Sequence, residues 1–135
     1  MGTVMPMQLP YPLLIEPMVR TALFEDLGRA GDITTSAVIP NDAQLSGAIV
    51  SRQSGVIAGM TAALLAFRLL DPTIKITVER SDGSRVTPGK ATIRLDGPAR
   101  PILTAERVAL NFLCHLSGIA TAIAALVEAA RRHGP

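Results

Sequence analysis

Residues 108 to 127, VALNFLCHLSGIATAIAALV, contain no Asp, Glu, Lys or Arg. A helix of about twenty apolar residues is long enough to cross a bilayer, so this run limits the chain to a membrane span or to helices buried against protein. Asn111, His115, Ser117, Gly118 and Thr121 dilute the run, which favours buried interface helices and no membrane. Ser117-Gly118 reads as a break between two helices. Ahead of it, Ala105, Val108, Ala109, Phe112, Leu113 and Leu116 fall at i, i+3, i+4, i+7, i+8 and i+11, a helical stripe. Thr104 is the predicted N-cap of that helix. A further helix is predicted from about Ile119 to Arg132.

The rest of the chain alternates helix and strand. Glu16-Pro17 opens a first helix, because proline suits the first helical position. Val19, Ala22, Leu23 and Leu27 make its inner face, and Gly28 fits a left-handed cap. GRAGDITTSAVIPND, residues 28 to 42, is turn-rich. AQLSGAIVSRQSGVIAG reads as two strand segments kinked at Ser54-Gly55, with Ser46, Gly47 and Ala48 small enough for another backbone to come close. MTAALLAFRLLD is a second helix stopped by Asp71-Pro72. IKITVER and ATIRL alternate as half-buried strands, bounded by turns at Ser81-Asp82-Gly83, Pro88-Gly89 and Asp96-Gly97-Pro98. This order predicts a single α+β domain.

Thirteen Lys and Arg against 11 Asp and Glu leave a net charge of +2, with 3% aromatic residues and no Trp. No basic run with interleaved aromatics is present, so a nucleic-acid partner is not expected. Cys114 is the only cysteine and is expected to be a buried, inert thiol. It is compatible with a reducing compartment. MGTVMPMQLPYPLL lacks the positive start of a signal peptide and is read as an extended arm. The sequence contains none of GxGxxG, GxxxxGK[ST], HExxH, CxxC or GxSxG. Glu25, Asp26 and Asp32 could suggest a metal site, yet carboxylates near a helix end and a turn are more often caps or solvated charge. No metal ligand is therefore assigned.

Arg107 is the sharpest feature. With Thr104 as the cap it falls in the first turn, at the positive end of the helix dipole, where a cation is disfavoured. Asn111 and His115 follow at i+4 and i+8, so three polar side chains share one face of a greasy helix. One reading is a surface arginine paired with Glu106 or another acid. The other is a guanidinium that joins the free N–H groups of the first turn to hold an anion. His115 is read either as a hydrogen-bonded structural histidine or as part of that face.

LLIEPMVRTALFEDLGRAGDITTSAVIP, GVIAG, DGSRVTPGKATIRLDGPARPIL and LTAERVALNFLCHLSGIATA together resemble the N-terminal domain of the quinolinate phosphoribosyltransferase family, also called nicotinate-nucleotide pyrophosphorylase (carboxylating). The likeness runs from about residue 13 to 132. It implies an α/β-hammerhead domain, a small mixed sheet with flanking helices, that packs on an open α/β barrel. It divides the chain into an extended arm (1–12), the N-terminal domain (13–117) and a helix leading toward the barrel (118–135). It implies a pentosyltransferase that condenses quinolinate with phosphoribosyl pyrophosphate, using Mg2+. The products are nicotinate mononucleotide, CO2 and pyrophosphate, in cytoplasmic NAD biosynthesis. A barrel needs on the order of 200 residues, so it is expected outside these 135, together with the groups that handle Mg2+. The chain alone is expected to be inactive. The resemblance also implies a homodimer or higher oligomer, in which Arg107 binds a quinolinate carboxylate in the partner's site and Asn111 and His115 are possible lining residues. The alternatives are a non-catalytic dimerisation module and a paralogous molybdenum-transport-associated protein.

Overall fold

The computed structural model describes residues 12–28 and 37–133. Its elements are α1 (Pro12–Gly28), β1 (Gln44–Val50), β2 (Gly55–Val56), α2 (Met60–Leu70), β3 (Lys75–Val78), β4 (Arg85–Val86), β5 (Ala91–Pro98) and α3 (Ala99–His133). The α+β class expected from the alternation holds. Of the predicted arm, residues 1–11 lie outside the described residues, and Pro12 already belongs to α1.

The described strands pair antiparallel throughout. β5 lies between β1 and β3, and β2 pairs with β4 in a separate two-stranded ribbon. Alternation along β5 sends Ile93 and Leu95 into the core and leaves Arg94 and Asp96 exposed, as a sheet covered on one face requires. The β1–β5 register shifts between Ile49 and Val50. There the buried Thr92 hydroxyl donates to the Ile49 carbonyl at 3.0 Å, which satisfies a polar group that would otherwise destabilise the core.

Helices cover the inner face. Phe67 of α2, Ile93 of β5 and Val19 of α1 are the largest side chains with no exposure. Ala62, Ala63 and Ala66 of α2 and Ala105 and Ala109 of α3 are also buried, so these two helices meet through small side chains. Phe67 then supplies much of the apolar bulk, and truncating such a buried Phe to Ala removes about 3–5 kcal/mol. The start of α2 has no side-chain cap of its own. Instead, the Asp82 carboxylate, from the turn before β4, accepts the Met60 N–H at 3.0 Å. An acid suits that positive helix end.

Several boundaries depart from the sequence reading. α1 starts at Pro12, which takes the first helical position, and Pro17 lies inside the helix. Pro17 offers no N–H to the Leu13 carbonyl, but burial of Val19 and Leu23 carries the helix past that lost bond. Gly28 ends α1 without the left-handed φ expected of it. Asp96-Gly97-Pro98 is not a turn: it is the end of β5, paired with Gln44, Leu45 and Ser46.

The predicted break at Ser117-Gly118 does not occur either, because α3 is continuous from Ala99 to His133. Tertiary bonds hold it there. The Ser117 hydroxyl accepts the Ala58 N–H at 3.0 Å and donates to the Ala58 carbonyl at 3.1 Å. One turn on, the Thr121 hydroxyl accepts the Val56 N–H at 2.9 Å and donates to the Ser117 carbonyl at 2.7 Å. The segment around β2 is thus strapped to α3 by two hydroxyls. The strap needs close approach: a Cβ on Gly55 would stand 2.6 Å from Thr121 Oγ1, and one on Gly59 3.0 Å from the Phe112 carbonyl oxygen.

Candidate functional site

α3 carries the candidate site, and its packing decides which residues are available. Ile102, Ala105, Val108, Ala109 and Leu113 are buried, while Phe112 and Leu116 are half-buried at the edge, much as the apolar stripe predicted. Arg107, Asn111 and His115 all emerge on the exposed side. The predicted alignment at i, i+4 and i+8 is therefore present, and it faces outward. Cys114 lies beside them and is exposed rather than buried, since it follows Leu113 by about 100° around the helix, away from the core. Asn111 and His115 make no hydrogen bond or ion pair among the described residues.

The helix-terminus argument for Arg107 fails. α3 begins at Ala99, with the Ala99 N–H bonded to the Ala43 carbonyl at 2.8 Å and Arg100 Nε donating to the Ile39 carbonyl at 2.8 Å. Thr104 is a buried residue of the second turn rather than a cap. Arg107 therefore sits in the third turn, beyond the free N–H groups. What holds it is an acid from α1: Arg107 Nη1 donates to Asp26 Oδ1 at 3.1 Å, with side-chain exposures of 63% and 13%. Pairing with an acid was foreseen, but Asp26 was not, because the contact spans 81 residues of sequence. The available signal was an acid in the last turn of α1, where the helix dipole disfavours it.

Two other candidates are not completed by the described residues. Among the described residues no group of three His, Cys, Asp or Glu could hold a metal, and Asp32 lies outside them. An open hollow of about 450 Å³ on the outer face of the sheet is lined by Lys75, Arg94 and Asp96. Its charges are already partnered in part, Arg94 with Glu79 at 2.9 Å and Asp96 with Ser46 at 2.8 Å.

Apolar surface is uncovered in two rows. On α1, Leu13, Leu14, Met18 and Phe24 are exposed, the last at 71%. On the far half of α3, Ile119, Ile123, Leu126 and Val127 are exposed, Leu126 at 70%. By length and composition alone α3 would suit a membrane span. Its first turns, however, pack into the core and its middle bonds the backbone of Val56 and Ala58.

Residues 32–117 match the family model described as quinolinate phosphoribosyl transferase, N-terminal domain. The nicotinate-nucleotide pyrophosphorylase [carboxylating] of Mycobacterium leprae is 42% identical over 118 residues, which cover 84% of this chain and 40% of that protein. The chloroplastic enzyme of the same name from Oryza sativa subsp. japonica is 39% identical over 116 residues, covering 86% and 31%. Among solved structures, the nicotinate-nucleotide pyrophosphorylase from Francisella tularensis superposes with a TM-score of 0.85 at 32% identity, over 97% of this chain and 45% of that one. NadC from Streptococcus pyogenes gives 0.82 at 36% identity, over 95% and 44%. The chain thus spans less than half the length of these relatives.

Proposed function

Because the chain belongs to the quinolinate phosphoribosyltransferase family and carries its N-terminal domain, we propose that it serves as the cap and dimerisation domain of such an enzyme. The reaction it would complete joins quinolinate to phosphoribosyl pyrophosphate, giving nicotinate mononucleotide, CO2 and pyrophosphate for NAD synthesis. One observation carries this reading: α3 presents both an exposed guanidinium, Arg107, and a row of uncovered apolar residues from Ile119 to Val127. The row begins about 18 Å along the helix from Arg107, so the partner that covers it would also reach back along α3 to enclose the guanidinium. Arg107 would then bind a carboxylate of the dicarboxylate substrate through its planar fork. Asn111 and His115, one and two turns further along, would line the same pocket.

In this reading residues 13–117 form the cap and 118–135 lead toward a barrel. In the same reading, Mg2+ accompanies the phosphoribosyl donor and would be held by the barrel. The apolar row faces protein rather than lipid, in keeping with the core packing of the first half of α3. A cytoplasmic setting suits the exposed free thiol of Cys114.

Substitution of Arg107 in the complete enzyme tests this function. A charged hydrogen bond contributes about 1.5–3 kcal/mol. Arg107→Ala should therefore weaken quinolinate use by about tenfold to a hundredfold or more, at 1.4 kcal/mol per factor of ten. Arg107→Lys should rescue only in part, because an ammonium cannot reproduce the fork. Arg107→Ala chains mixed with chains inactivated in the barrel should regain activity, since one site of each hybrid receives intact parts from both. Unchanged quinolinate affinity in Arg107→Ala, or hybrids that form yet recover nothing, would refute the cross-subunit role.

A further inference from the structure

Asp26 occupies an unfavourable position on its own helix. It lies in the last turn of α1, at the negative end of the dipole, and that turn holds no basic residue. Its side chain is nonetheless only 13% exposed, whereas its partner Arg107 is 63% exposed. With the arginine this open to water the pair is screened and contributes little to folding, so stability alone does not account for a shielded acid at this helix end.

The geometry of the contact suggests another role. Asp26 takes a single donor, Nη1, at 3.1 Å. Arg107 makes no other hydrogen bond or ion pair among the described residues. That leaves the edge formed by Nε and Nη2, which offers two parallel N–H groups of the kind that grip a carboxylate bidentately. An unrestrained arginine has a large rotamer entropy, part of which is lost whenever it binds a ligand.

We propose that Asp26 is a positioning residue: it fixes Arg107 through Nη1 so that the Nε–Nη2 edge is presented, ready oriented, to a carboxylate of the dicarboxylate substrate. This rests on the reading of Arg107 as the carboxylate-binding residue. The charge of Asp26 opposes a second anion, but its acceptor oxygen orients the guanidinium. The two effects separate on substitution, because Asn keeps the acceptor and loses the charge.

The test is steady-state kinetics of the complete protein that carries this domain, with quinolinate varied. Asp26→Ala should raise KM for quinolinate by about threefold to tenfold, as expected when part of an arginine's rotamer entropy is no longer settled beforehand, and kcat should stay nearly unchanged. Asp26→Asn should stay at or below the parent KM, because it keeps the acceptor and removes the opposing charge. Asp26→Leu, near-isosteric and unable to accept, should match Asp26→Ala and serves if the smaller residue loosens α1. In an Arg107→Ala background, Asp26→Leu should add nothing further. If Asp26→Ala and Asp26→Leu leave KM unchanged or lower it while Arg107→Ala raises it, the positioning role is wrong and the carboxylate reading stands. The positioning role also falls if the two substitutions act additively, as a merely structural residue would. If Arg107→Ala itself leaves KM untouched, the carboxylate reading fails and takes this role with it.

Discussion

Adding one methyl group at each of three glycines would separate the forces that strap the β2 segment to α3. Gly83 has φ +84 with nothing within 4 Å of an added Cβ, so Gly83→Ala introduces backbone strain alone. The left-handed region disfavours a Cβ by about 1–2 kcal/mol, and a stiffer unfolded chain offsets about 0.4–1 of that. A net loss of about 1 kcal/mol is expected. Gly55 has no positive φ, but its Cβ would meet Thr121 Oγ1 at 2.6 Å, so Gly55→Ala introduces crowding alone. Thr121 could rotate away only by giving up the Val56 N–H, and overpacking of this kind costs about 1–3 kcal/mol. Gly59 combines both, with φ +91 and a Cβ 3.0 Å from the Phe112 carbonyl oxygen and 2.9 Å from Leu116 Cδ1. The leucine end can move; the backbone oxygen of a packed helix cannot. Gly59→Ala should therefore lose about 2–4 kcal/mol, close to the sum of the other two. With a urea m-value of about 2 kcal/mol/M, the midpoint followed by far-ultraviolet circular dichroism would fall by about 1–2 M. A Gly59→Ala midpoint no lower than that of Gly83→Ala would refute the close approach of this segment to α3.

Three further outcomes follow from contacts described above. Asp82→Ala removes the only side-chain acceptor described at the start of α2 and should cost about 1 kcal/mol, as loss of a cap does, in the same urea assay; no change would show that water replaces the carboxylate fully. The Asp71 carboxyl is held below its ordinary value by the Thr73 hydroxyl and then by the Thr73 N–H. Its contribution to stability is therefore present above the unfolded-state value and lost as pH falls through the lower folded value; Thr73→Val should raise the Asp71 titration midpoint in a carbon-detected NMR experiment. The isolated chain, with apolar rows uncovered on α1 and α3, should sediment as a dimer or larger species or aggregate; a clean monomer at tens of micromolar (about where weak dimers form) would count against a partner-covered face.

Periodic segments were the legible part of this fold. The inner face of α2, the alternation of β5 and the stripe of α3 all follow from spacing, because burial of one face dominates their energetics. Boundaries were not legible where a distant group overrides local preference. Ser117-Gly118 looks like a stop, and glycine inside a helix costs about 1 kcal/mol, yet bonds from Ser117 and Thr121 to a segment some sixty residues earlier hold the helix straight through it. Pro98 reads as a turn residue but ends a strand, where its missing N–H is not needed. The site shows the same division. The shared face of Arg107, Asn111 and His115 was visible in their spacing. The Asp26 partner depends on how α1 crosses α3, and no local pattern encodes that.

The unbroken course of α3 turns it into a lever. Its fulcrum is the pair of hydroxyls at Ser117 and Thr121, and the arm beyond Ser117 runs to His133, about 24 Å at the helical rise per residue. A tilt of about 5° at the fulcrum would swing the far end by about 2 Å on that rise, close to half a side chain's width. Whatever packs on Leu126 and Val127 is thereby set, through one rigid rod, against the position of Arg107. Loosening the strap should therefore misalign a partner at the far end before it unfolds anything nearby.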